Sequence, residues 1–171
     1  MVELREATEA EYPEIVALTN RAFRHTGEGA SWNVEGVIQG DRINEDLLRE
    51  DLAAPGCQLL IWREGAEHIG HVRLEPKANG VWYLGLLTVR PDRQDQQLGR
   101  RLLTASEDYA RARGGTRIRM TVVNARDTLI AWYQRRGYEL TGETEPFPYD
   151  DERFGRATRD DLAFVVLERA I

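Results

Sequence analysis

Two hydrophobic periods share this chain, and turn residues mark where one gives way to the other. Val2 to Ala7 alternates apolar and polar residues, as a half-buried strand does. Thr8, with Glu11 three residues on, has the pattern of a capping box. Tyr12, Ile15, Val16, Thr19, Ala22 and Phe23 then recur at helical spacing, with Pro13 expected to delay the helix start. Residues 25 to 42 are rich in Gly, Ser and Asn and read as a loop, and a short helix is predicted near Asn44 to Leu52. Gln58 to Trp62 and Ile69 to Leu74 read as strands joined by a turn at Arg63-Glu64-Gly65. Val81 to Val89 is apolar nearly throughout, which predicts a central strand covered on both faces. Pro91 stops it. Leu98, Leu102, Ala105 and Tyr109 mark the inner face of a long helix ended by Gly114-Gly115. Ile118 to Val123 is a further strand, and Leu129, Ile130 and Tyr133 sit on a second helix. Arg135 and Arg136 suit the negative end of its dipole, and Gly137 suits the C′ position. Tyr138 to Thr141 and Leu162 to Leu167 predict two last strands. Strands interleaved with helices mean an α/β (or α+β) sheet with helices on its faces. No repeat, low-complexity tract or linker divides the chain, so residues 1–171 are expected to form a single domain.

Composition narrows the chemistry. Apolar residues make up 42% and charged residues 30% of the chain, a globular balance. No apolar run approaches the roughly 20 residues that cross a bilayer, and the N-terminus lacks a basic region followed by an apolar stretch. The single cysteine, Cys57, excludes an internal disulfide and a multi-Cys metal site, and a buried, inert thiol is expected. These features point to a reducing cytoplasm. The net charge of −6 argues against nucleic acid as a partner. It suits a cationic small substrate, or simply a solvated acidic surface. His68 and His71 are expected at the surface of a strand rather than as metal ligands, and no metal is expected.

The most informative segment runs from Leu86 to Leu103. A buried strand ends at Val89-Arg90-Pro91 and leads through Asp92-Arg93-Gln94-Asp95-Gln96-Gln97 into Leu98-Gly99-Arg100-Arg101. The free N–H groups and positive dipole end of such a helix start bind phosphate. Gly99 would let a bulky anion approach, and Arg93, Arg100 and Arg101 add positive charge. A dinucleotide fold is disfavoured, because its glycine fingerprint should follow the first strand, which here leads into Thr8-Glu9-Ala10-Glu11.

This segment resembles the signature of the GNAT superfamily of N-acetyltransferases, a strand ending in V-x-P followed by Q/R-x-x-G-x-G/A at a helix start. Val89, Pro91, Gln94 and Gly99 match, whereas Gln97 replaces the middle glycine and Asp95 stands where glycine is common. A second match is Trp132-Tyr133-Gln134-Arg135-Arg136-Gly137-Tyr138, in the place of F-Y-x-x-x-G-F/Y. Where the family often carries Asn, this chain has Arg126, with Asn124 just upstream. The stretch from Gly142 to Tyr149, with Arg153-Phe154-Gly155 and Asp160-Asp161-Leu162, resembles one GNAT subgroup, which also tends to match Trp32, Glu35 and Arg42.

The resemblance implies a mixed, mostly antiparallel sheet of about six or seven strands, splayed at the central strand, with about four helices on its faces. It implies acetyl-CoA as co-substrate, held by Leu87, Thr88 and Val89, by the loop and helix start Gln94, Asp95, Gln96, Gln97, Leu98, Gly99 and Arg100, and by Asn124 or Arg126. The implied activity is acetyl transfer to a primary amine by direct attack through a tetrahedral intermediate. The backbone N–H near Leu87 would stabilise the oxyanion, and Tyr133 would protonate the leaving thiolate. A base or a water chain must take the ammonium proton, and Glu75, His71 and Glu35 are the side-chain candidates. Trp32, Glu35, Phe147 and Tyr149 are candidates for an acceptor site, with loop packing as their alternative role. The expected partner is a small amine, with no nucleic acid and no membrane, and a homodimer is left open. The competing function is an acyl-CoA-binding module without turnover, which Gln97 and Asp95 favour and Tyr133 opposes.

Overall fold

In a computed structural model, residues 2–25 and 35–171 are described, with only the backbone of Gln94 and Asp95. The elements run β1 (Leu4–Glu6), α1 (Tyr12–Arg24), β2 (Ile38–Gln39), α2 (Glu45–Asp51), β3 (Gln58–Glu64), β4 (Glu67–Pro76), β5 (Val81–Val89), α3 (Leu98–Ala112), β6 (Arg117–Val123), α4 (Asp127–Arg135), β7 (Glu139–Pro146), β8 (Arg156–Ala157) and β9 (Ala163–Ala170). Seven strands form one sheet in the order β1-β3-β4-β5-β6-β9-β7, and β2 pairs with β8 in a separate two-stranded ribbon. Every neighbouring pair in the large sheet is antiparallel except β5 with β6.

Helices cover both faces of the sheet, and the alternation of β3 shows why. Leu60 and Trp62 point into a core shared with Leu98, Leu102 and Leu103 of α3. Leu59 and Ile61 point the other way, onto Ile15 of α1 and Leu47 and Leu48 of α2. A strand buried on both faces must be apolar at successive positions, which explains the Leu59–Trp62 run. At the edge, Thr8 and Glu11 make the expected reciprocal contact, the Thr8 N–H donating to Glu11 Oε1 at 3.0 Å. Glu11 also accepts from Arg5 on β1 and Arg63 on β3, so one carboxylate joins three segments.

β5 departs from a regular strand midway. Its partners on β4 run Arg73↔Gly85 and then His71↔Thr88, so β5 carries one extra residue at Leu86–Leu87. Leu86 takes a left-handed conformation, φ 52°. A bulge of this kind re-aims every following side chain. Trp82 and Leu84 face the α3 core, Leu86 faces the α1/α2 core, and the odd-numbered Leu87 and Val89 then pack on the α3 side. Gly70 on β4 lies beside this irregularity, where an added Cβ would sit 2.6 Å from the Thr88 carbonyl oxygen. The pairing of β5 with β6 ends at Tyr83↔Arg119, so the two parallel strands separate beyond that point.

Two expectations are corrected here. His71 is fully buried rather than on the surface, because α1 covers that face of β4: its Nε2 lies 2.8 Å from Thr19 Oγ1, and its Nδ1 3.1 Å from His68 Nε2. Cys57 is half-buried, and burial raises its thiol pKa.

Both imidazoles are held neutral. Burial, helped by Arg63, lowers His68 to about 4 despite Glu11, and burial together with His68 lowers His71 well below its ordinary value. A histidine with a depressed folded pKa is protonated first in the unfolded chain. Stability is therefore retained above the unfolded value of about 6.5 and lost as pH falls, by about 1.4 kcal/mol per pH unit for each histidine. Urea unfolding at pH 7.5 and pH 5 should show this loss. His68→Gln should flatten the slope by about one proton, and an unchanged slope would show that the pair does not govern the pH response.

Candidate active site

The separation of β5 from β6 opens a cavity of about 370 Å³. Leu84 to Leu87 form one wall, Met120 to Val123 the opposite wall, and Tyr133 and Leu129 of α4 close a side. Ile38 of β2 and Gly155 beside β8 also line it, so the small ribbon borders the cavity. Gly155 is required there: at φ 111°, an added Cβ would fall 2.8 Å from the Gln39 carbonyl oxygen and 2.7 Å from the Ile38 side chain. A second, narrower hollow adjoins the first through Leu87 and Tyr133 and is lined by Thr88, Val89, Gly99 and Trp132. The free edge of β5, the start of α3 and Tyr133 thus meet in one place.

The loop before α3 accounts for the altered signature. Pro91–Gln96 forms a 3-10 turn, and Gln97, φ 54° and ψ 34°, precedes the helix in a left-handed conformation. This is the position at which the resembling signature carries its middle glycine. Glycine reaches that conformation freely, while other residues pay roughly 1–2 kcal/mol. Gln97 therefore keeps the loop geometry with local strain. Its carbonyl accepts the Arg101 N–H at 3.1 Å, which leaves the first N–H groups of α3, on Leu98, Gly99 and Arg100, at the open helix end. At Gly99, an added Cβ would lie 3.5 Å from the Trp132 ring, an ordinary contact. Neither the approach of Trp132 nor the backbone conformation therefore requires a glycine at this position.

Tyr133 is 5% exposed, and its pKa is raised to about 12 by burial, opposed by Arg126. Its ring packs edge-on against Trp132 and Tyr138. It keeps its proton at neutral pH and borders both hollows.

The other sequence candidates separate by position. Glu35 and Arg126 both line the cavity. Arg24 Nε and Nη2 donate to Glu35 Oε1 at 3.2 and 3.1 Å, and Arg126 Nη1 donates to Oε2 at 3.2 Å, all with buried side chains. A carboxylate shared by two guanidinium groups positions them; it offers little attraction to an incoming cation. Asn124 is occupied in tying the end of β6 to β9: it donates to the Asp161 carbonyl at 3.1 Å and accepts the Ala163 N–H at 3.2 Å. Glu75 does not line the cavity, and although burial alone would raise it, Lys77 and Arg73 lower its pKa. Phe147 lines the cavity and stacks on Phe164. Tyr149 is an exposed corner whose hydroxyl accepts the Leu162 N–H at 2.7 Å. Trp32 lies outside the described residues, as do the side chains of Gln94 and Asp95.

Sequence reasoning missed Arg24, Asp51, Phe23 and Phe154, all of which line the cavity. Arg24 and Asp51 end α1 and α2, where charged residues ordinarily cap or solvate a helix, so nothing in the pattern distinguished them. Among the described residues no cluster of His, Cys, Asp and Glu is arranged to hold a metal.

A mixed sheet opened beside its one parallel pair, with a helix start and a buried tyrosine at the opening, is a scaffold for acyl transfer from a pantetheine thioester. Residues 12–138 match the family described as the acetyltransferase (GNAT) family, and the chain belongs to it. It is an acetyl-CoA-dependent acetyltransferase with the GNAT fold. It is 28% identical over 169 residues to an L-methionine sulfoximine/L-methionine sulfone acetyltransferase of Pseudomonas aeruginosa, covering 96% of this chain and 92% of that protein. Among solved structures it resembles the PaiA N-acetyltransferase of Thermoplasma acidophilum in complex with coenzyme A, with a TM-score of 0.70 at 15% identity, covering 100% of this chain and 99% of that one. The ribosomal-protein-S18-alanine N-acetyltransferase of Escherichia coli gives 0.70 at 17% identity, covering 100% and 94%. At these identities the solved structures speak for the fold alone.

Gln97→Gly should relieve the left-handed strain. Offset by the greater chain entropy of glycine, the variant should equal or exceed the parent by up to about 1 kcal/mol in urea unfolding and bind acetyl-CoA at least as well by calorimetry. A clear loss of stability would show that Gln97 makes a contact that outweighs the strain.

Proposed function

We propose that this enzyme acetylates the primary amine of a small free molecule in the cytoplasm. The observation that carries this reading is the cavity itself: about 370 Å³, bordered by the β2–β8 ribbon and opening beside Tyr133. That volume falls at the small end of ligand sites, which span roughly 300–1,000 Å³. The similarity to an enzyme named for two methionine derivatives supports the same class of acceptor.

The chemistry requires the following. The acetyl thioester lies along the free edge of β5, with its carbonyl oxygen toward the N–H near Leu87 and its diphosphate at the start of α3. The neutral amine attacks the carbonyl carbon, the C–N bond forms, and the tetrahedral oxyanion is held by the backbone donor. On collapse the C–S bond breaks and the sulfur needs a proton. Tyr133 supplies the hydrogen bond. Complete transfer from a phenol near 12 to a thiolate of ordinary pKa near 8.5 is uphill by about 3.5 units, close to 5 kcal/mol. The tyrosine therefore stabilises the charge developing on sulfur, and the proton released by the attacking nitrogen completes the exchange.

Tyr133→Phe removes only the hydroxyl. Turnover should fall at least about tenfold, with acetyl-CoA affinity unchanged, as expected for loss of one hydrogen-bond donor to charge that develops in the transition state. Full turnover in a variant limited by the chemical step would remove Tyr133 from the mechanism. Thiol release measured over free amines, peptides and protein N-termini tests the substrate class: free amines should be best, and preference for a peptide or protein would overturn the reading.

A further inference from the structure

Among the described residues, the cavity lining carries one guanidinium with an unfilled buried donor and one carboxylate with no side-chain partner. Arg24 spends its Nε and Nη2 on Glu35 and its Nη1 on the Gly40 carbonyl. Arg126 is joined to the other oxygen of Glu35. Arg42 differs. Its Nη1 is buried with no hydrogen-bond partner, and its guanidinium lies 5.9 Å from the centre of the Phe23 ring and 5.5 Å from that of Phe154. Two aromatic rings thus flank a cation with one buried donor, Nη1, that no described residue fills. Asp51, the last residue of α2, lines the same cavity, and its carboxylate makes no hydrogen bond or ion pair among the described residues, whereas its backbone carbonyl accepts from Arg73 and from the Cys57 thiol. Burial pushes the Asp51 carboxyl above its ordinary range, opposed by Arg42 and Arg73.

A buried donor without a partner costs free energy that a matching ligand recovers. Building on the small-amine reading, we propose that the acceptor is an amine that also bears a carboxylate, an amino-acid-like zwitterion, with its carboxylate bound by Arg42 and its amino group received by Asp51. Arg24 and Arg126 reinforce the positive end, and Glu35 is a positioning residue that holds them in place. In the reaction, the ammonium gives one proton to the Asp51 carboxylate. The freed lone pair attacks the thioester carbonyl, the C–N bond forms and the C–S bond breaks. The second nitrogen proton passes to the thiolate, with Tyr133 assisting, and Asp51 returns its proton to solvent. The products are the N-acetylated acid, coenzyme A and one proton, so no further reactant is needed.

The test compares matched acceptors with the intact enzyme and acetyl-CoA: the common L-amino acids, their carboxamides, the corresponding decarboxylated amines, aminophosphonates, and short peptides. The acids should be favoured in kcat/KM over their own carboxamides by about 10- to 100-fold, the range expected for a charge-assisted bond. Arg42→Gln should erase that preference by lowering the value for the acids more than that for the carboxamides. In Asp51→Asn, turnover of the acids should fall while acetyl-CoA affinity stays unchanged. Equal use of acids and carboxamides, a preference for the decarboxylated amines or aminophosphonates, or no acetylation of any acid overturns this proposal and leaves the small-amine reading standing if free amines are turned over. Activity on peptides alone overturns both.

Discussion

The extra residue in β5 is the constraint on which the rest of the site depends. A regular strand in that place would continue its pairing with β6, and no cavity would form. With Leu86 in a left-handed conformation, β5 keeps its bonds to β4 on one side and parts from β6 on the other beyond Tyr83. β6 does not lose its partners: it pairs with β9 along its whole length, Arg117 to Val123. The gap therefore costs the sheet only a few ladder bonds of β5, and those unfilled backbone groups are what an extended ligand strand can use.

The surrounding elements hold that opening in place. The bulge reverses the direction of the side chains, so Leu86 anchors on the α1/α2 core while Leu87 and Val89 anchor on the α3 side. Both faces grip the irregular segment, which limits how far it can relax. Gly70 permits the close passage of β4 beside Thr88, and Trp132 packs against the glycine at the start of α3. Arg24, Arg42, Arg126, Glu35 and Asp51 gather in the cavity, Glu145 and Asp151 add carboxylates from the β7 side, and most of the remaining lining is aromatic or aliphatic. Such buried charges persist only when paired or when awaiting a counter-charge.

Much of this was legible in the sequence. The limits of β5 and the start of α3 follow from an apolar run and a helical stripe, and period together with turn residues gives the order of the seven large-sheet strands and the four helices. The bulge was not legible, because an apolar strand with one extra residue is still apolar at every position. β7 was read as ending near Thr141 but runs to Pro146, since its residues are solvent-exposed and show no alternation. The β2–β8 ribbon is two residues per strand, below the length at which any pattern emerges. The polarity of His71 suggests a surface position, whereas a hydrogen-bonded partner on α1 makes its burial tolerable. Arg42 closes the loop rich in Gly, Ser and Asn, Asp51 ends a helix dense in charge, and only the fold brings them to one cavity.

Hydrogen exchange on the free and coenzyme A-bound protein measures the central claim directly. If the opening between β5 and β6 is the cofactor groove, amides of residues 86–89 and of 98–100 should become protected on binding, while those of β7 and β9 keep their rates. Protection confined to another surface, such as the hollow between β1 and α3 lined by Leu4, Arg101 and Tyr109, would contradict the account.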